Sequence, residues 1–97
     1  DRRKISFEGL ILVSLIINSE YSLHKNIKIT QNGLSIENFK KIDANFKEVF
    51  LNEFLQLSKD KKSSDIIISD LIKKLLRKFI KKQLGKKPEI KVHILRI

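Results

Sequence analysis

The hydrophobic pattern of the chain is organised by one run, Leu10-Ile11-Leu12-Val13-Ser14-Leu15-Ile16-Ile17, whose single polar residue is a small serine. A strand with one wet face alternates apolar and polar residues; this run does not. Continuous aliphatic runs of this length are typical of strands covered on both faces. At about 3.3 Å per residue the run spans ~26 Å, enough to cross a small domain and too short for a membrane helix. Elsewhere the period changes. Residues 3–7 set Ile5 and Phe7 against Lys4 and Ser6, which predicts a half-buried strand. Glu8-Gly9 then reads as a hairpin turn, with Gly9 supplying the positive φ that tight turns demand. Asn18-Ser19-Glu20 ends the apolar run, and residues 21–26 read as a loop. Residues 27–30 resume the two-residue period until Gln31-Asn32-Gly33 breaks it with a strong turn signal. Leu34-Ser35-Ile36 is either a short further strand or the lead-in to a helix.

Two helical stretches follow. Over residues 37–57, Phe39, Ile42, Phe46, Val49, Phe50, Phe54 and Leu57 fall on one face at about 100° per residue. Four phenylalanines make that face bulky enough to cover much of a small sheet. Leu51 and Leu55 point away from it, a hint of a second contact surface. Glu53 falls on the apolar face, where a solvated end position explains it. Residues 58–65 form a polar linker without glycine, in which Ser63, Ser64 or Asp65 can cap the next helix. Over residues 66–84, Ile68, Ile72, Leu75, Leu76, Phe79 and Ile80 share one arc. Lys73, Lys74, Arg77, Lys78, Lys81 and Lys82 occupy the opposite half. Asp70 is spaced to pair with Lys73 or Lys74. Gly85 suits a helix C-terminus and Pro88 prevents resumption, which makes Lys86-Lys87-Pro88 a basic corner.

Residues 89–97 alternate again, with Ile90, Val92 and Ile94 opposite Lys91 and His93. The pattern predicts an α+β fold: a two-layer domain with a small mixed sheet of three to four strands and two helices on one face. One face of the sheet then stays partly uncovered, although the Leu10–Ile17 run has apolar side chains for both. The domain should therefore present an apolar surface that a partner covers, with Leu10, Leu12, Leu51 and Leu55 as candidates.

Composition narrows the chemistry. Ninety-seven residues make one domain with a core of its own. Cysteine is absent, which excludes disulfides, thiolate metal sites and cysteine nucleophiles, and fits a reducing, cytoplasmic setting. With no methionine and a start at Asp1, the chain reads as a piece of something longer. Arg2-Arg3-Lys4 imitates a signal peptide, but Glu8 interrupts it and no small-residue cleavage site follows. No membrane partner is expected.

The net charge of +10 is unevenly placed: residues 60–97 carry 12 Lys/Arg against 4 Asp/Glu, and the rest 9 against 7. Lysine accumulates on solvated faces for compositional reasons in Lys-, Ile- and Asn-rich chains. The basic half also raises RNA as a partner, held through phosphates by Lys74, Arg77, Lys78, Lys81, Lys82, Lys86 and Lys87. The order of strands and helices approaches that of a type II KH domain without its first helix. However, the linker lacks the Gly-x-x-Gly loop, and no strand carries the aromatics of an RRM. His24 and His93 stand alone, and the three glycines form no phosphate-cradling loop. No catalytic, cofactor or metal site is expected in this chain.

Lys86-Lys87-Pro88-Glu89-Ile90-Lys91-Val92 resembles the closing segment of ribonuclease J. The likeness extends through the basic helix at residues 70–84, the Ile29-Thr30-Gln31-Asn32-Gly33-Leu34 turn, and Arg3-Lys4-Ile5-Ser6-Phe7-Glu8-Gly9 before the apolar strand. The ordered set spans nearly the whole chain. It departs from the family pattern at Asn32, where an arginine is usual, and at Glu89 and Val92, where methionine and a second proline are common. The resemblance implies the C-terminal domain of a bacterial or plastid enzyme that degrades and matures RNA as a 5′-to-3′ exonuclease and endonuclease. It also implies a zinc-dependent hydrolase whose metal site lies in separate metallo-β-lactamase and β-CASP domains. The domain itself would be a non-catalytic assembly element that supports dimerisation and contacts the parent's catalytic domains. The alternative is a stand-alone or accessory module that binds RNA backbone.

Overall fold

A computed structural model of the chain describes residues 9–97. The aliphatic run forms strand β1 (Leu10–Ile17). β2 (Lys28–Asn32) lies antiparallel on one edge of it and β3 (Glu89–Arg96) parallel on the other, so β1 is central. Both edges of β1 are taken over residues 10–14, by β2 from Asn32 to Lys28 and by β3 from Glu89 to His93. This central place is what an uninterrupted apolar run suits. The expected strand at residues 3–7, and with it the first part of the family motif, lies outside the described residues.

Helix α1 (Ile36–Gln56) begins one residue before the start expected from periodicity, so Leu34-Ser35-Ile36 is the lead-in to a helix. Gln31 holds that lead-in: its side-chain oxygen accepts from Leu34 N at 2.9 Å and its amide donates to Leu34 O at 3.2 Å. The polar linker contains a one-turn helix that apolar periodicity could not reveal, α2 (Lys59–Lys62). Ser58 caps it by accepting from Lys61 N. Of the three expected caps, Ser64 fills the role for α3 (Asp65–Leu84), accepting from Ile67 N at 3.3 Å. Gly85 ends α3 in the left-handed region, with φ of 64°.

One core unites the layers. Ile11, Val13, Leu15 and Ile17 of β1 and Ile90 of β3 face Phe39, Ile42, Phe46, Phe50 and Phe54 of α1. Ile68, Ile72, Leu75, Leu76 and Ile80 of α3 complete it. Phe46 and Phe50 stack with ring centroids 5.6 Å apart, and Phe50 and Phe54 meet at a tilt with centroids 5.7 Å apart. Both long helices therefore shelter the odd-numbered side of β1. The far end is tied by Arg96, whose Nε donates to Asp65 Oδ1 at 2.9 Å and whose Nη2 donates to the Lys62 carbonyl at 2.8 Å. That tie anchors the last strand to the start of α3, where an aspartate also suits the helix dipole.

Candidate functional site

Strand parity decides what lies on the other side of the sheet. Residues of neighbouring strands in register share a face. Leu10, Leu12, Ser14 and Ile16 of β1 therefore stand beside Asn32, Thr30 and Lys28 of β2, and beside Glu89, Lys91, His93 and Leu95 of β3. No described element packs over this face. Leu12 is 45% exposed and Leu95 47%. Leu10 and Ile16 are half-buried. The run expected to be covered on both faces is thus buried on one face and open on the other among the described residues. The result is an apolar stripe along β1, extended by Leu95 and bordered by Lys28, Thr30, Lys91 and His93. Leu95 shares the parity of Lys91 and His93, so its place on the face with polar residues follows from the strand period, as an apolar exception to the alternation of Ile90, Val92 and Ile94.

Leu51 and Leu55, also expected to contact a partner, are 42% and 63% exposed. They belong to the helix layer, on the side of α1 turned from the core, and do not join the sheet stripe. Leu51 borders a shallow groove with Leu23, Ile27, Lys47 and Phe50. Glu53 is solvated, as its end position suggested. The four assembly candidates therefore fall into two pairs on different surfaces.

The basic candidates are solvent-facing. Lys74, Arg77, Lys78, Lys81 and Lys82 are exposed along α3, opposite its buried isoleucines and leucines, while Lys73 and Lys86 are half-buried and Lys87 is exposed. The expected pairing of Asp70 with Lys73 or Lys74 is absent among the described residues, where the ion pairs are Lys47–Asp43 and Arg96–Asp65. Isolated exposed pairs contribute little, so spacing alone does not fix such side chains. Arg77 and Lys81 meet Lys86, Lys87 and Pro88 around a cleft of about 310 Å³. His24 and His93 are exposed, on the loop before β2 and on the open sheet face. No three His, Asp or Glu side chains converge among the described residues. No helix among them is long and apolar enough to cross a membrane.

The family model of the ribonuclease J C-terminal domain matches residues 1–97. The chain belongs to the ribonuclease J C-terminal domain family. This agrees with the motif order read from the sequence, and it places the chain in the C-terminal rather than the catalytic part of that enzyme family. No curated protein matches the chain. As a ribonuclease J C-terminal domain, the chain has a mixed sheet with its helices on one face, an open apolar stripe on the other, and a cationic ridge on α3.

Proposed function

We propose that this ribonuclease J C-terminal domain is a non-catalytic assembly element of an RNA-degrading and RNA-processing enzyme, and that its sheet face joins two copies. The observation that supports this is the open stripe of Leu10, Leu12, Ile16 and Leu95. Monomeric proteins seldom leave a contiguous apolar patch on a central strand without a partner. A sheet face can meet its own copy across a two-fold axis, which is the commonest oligomeric arrangement. The Leu51–Leu55 ridge on the helix layer would then meet the parent's catalytic domains. The parent's hydrolase activity, its zinc and a cytoplasmic setting belong to the same proposal and rest on family membership.

Sedimentation velocity on the chain across a concentration series tests the self-association. A reversible monomer–dimer equilibrium is expected. A strict monomer at several hundred micromolar would refute it. A second reading, that the domain binds RNA backbone, has its own support in the exposed cations of α3.

A further inference from the structure

We infer that the corner where α3 meets the last strand is a phosphate-binding cleft for single-stranded RNA, with Arg77, Lys81 and Lys86 as its contacting groups. The inference rests on the RNA-backbone reading and goes beyond it by placing the site. A lysine-rich composition spreads cations over a surface. It does not explain why side chains from two segments line one concavity with no carboxylate among its described lining residues: Arg77 and Lys81 from α3, and Lys86, Lys87 and Pro88 from the corner.

The backbone builds this convergence. Gly85 turns left-handed at φ 64°, and its N–H returns to the Lys81 carbonyl at 3.0 Å. That turn folds the chain back, so Lys86 comes alongside the last helical turn instead of continuing away from it. Pro88 is buried and pins the corner. Between Asp70 and Glu89 the sequence holds eight Lys/Arg and no acidic residue. Neither Arg77, Lys81 nor Lys86 has an ion-pair partner among the described residues. Like charges crowded at a concave site concentrate positive potential there, and an anion relieves it.

The cleft opens onto the rest of the exposed stripe. Lys74, Lys78 and Lys81 follow one another at about one helical turn, ~4.5–6 Å of axial rise. This step suits successive phosphates of an extended strand. A strand seated in the cleft can thus continue along α3, held through its backbone and not read for sequence.

The test is fluorescence anisotropy of the chain with an unstructured, dye-labelled oligouridylate over a salt series. Two triple variants are compared, each removing three positive charges: Arg77→Gln/Lys81→Gln/Lys86→Gln, and the distal control Lys25→Gln/Lys40→Gln/Lys41→Gln. Circular dichroism verifies that both keep the native fold. At about 0.7 counterions per phosphate contact on a single strand, the cleft variant should flatten the slope of log K against log salt by ~2. It should also bind at least tenfold more weakly at low salt, with the control close to the native chain. Equal losses in both variants would place the affinity in overall charge and overturn the cleft while leaving RNA binding in place. No RNA binding by the native chain would overturn both. Displacement of the RNA by polyglutamate at equal charge concentration would replace it with an acidic protein partner.

Discussion

Replacing Leu12 and Leu95 by threonine tests the assembly role where the structure is most specific. Both lie on the open face, 45% and 47% exposed, so roughly half of each side chain remains to be buried by a partner. Complete burial of a leucine is worth about 1.5–3 kcal/mol, so the remaining half is worth ~1 kcal/mol per side chain. Two positions in two copies of a symmetric dimer give a ceiling of ~4 kcal/mol. Area converts imperfectly into affinity, and threonine keeps a methyl group, so a loss of about 2–3 kcal/mol is expected, or ~30- to 150-fold in Kd. Threonine is a good strand former and the sites are solvent-facing, so the fold itself should change by less than about 1 kcal/mol. Sedimentation velocity reads the dimer constant, and urea unfolding at a concentration below it reads the fold. A control variant, Leu51→Ala/Leu55→Ala, should leave the dimer unchanged. If the control weakens association and the sheet variant does not, the copies meet through the helix layer and the reasoning from strand parity fails.

Two changes probe the core and the backbone. Phe46 is fully buried and stacks on Phe50, so Phe46→Ala should cost about 3–5 kcal/mol in urea unfolding, a large share of the stability of a small domain. The two glycines Gly9 and Gly85 separate backbone strain from collision. A Cβ at Gly85 meets nothing within 4 Å, so Gly85→Ala should cost only about 1–2 kcal/mol for the left-handed backbone. A Cβ at Gly9 would lie 3.1 Å from the Asn32 carbonyl oxygen and from Leu34, so Gly9→Ala should lower the unfolding midpoint more. Equal midpoints would show that the contact yields freely.

The elements that bury a face were legible in the sequence, because burial imposes a period. Periodicity set the long helices within a residue of α1 and α3; the cap of α3 was narrowed to Ser63, Ser64 or Asp65, and Gly85 and Pro88 marked its end. The β3 start at Glu89 followed from alternation, and the partly uncovered second face of the sheet from the count of helices. Pairing was less legible. Parity tells which side a residue faces and not which strand lies next to it, so the parallel docking of β3 on β1 required the fold. The helix Lys59–Lys62 escaped because it buries nothing and therefore has no apolar period. The Arg96–Asp65 tie and the convergence of Lys86 with Arg77 and Lys81 escaped for another reason: each joins residues whose approach depends on a turn or on the sheet's register.

The two proposed roles make opposite demands on salt, and the charge map explains why both can operate in one small domain. The stripe on β1 is bordered by Lys28 and Lys91 with Glu89 as the acidic residue of that face, and the whole chain carries +10. Bringing two such copies together brings like charges together. Screening shortens that repulsion to about 8 Å at physiological ionic strength and leaves apolar burial untouched. Dimerisation should therefore hold or strengthen from low to moderate salt. RNA binding releases counterions and should weaken steeply over the same range. The cleft is lined from α3 and the Lys86-Lys87-Pro88 corner, and the stripe by β1 and Leu95 on the sheet face turned from the helices, so the two roles use different residues. Measuring both equilibria on one salt series separates the roles. If dimerisation falls in parallel with RNA affinity, the copies are held by charge and not by the sheet's leucines and isoleucine, and the open stripe is not the surface that joins them.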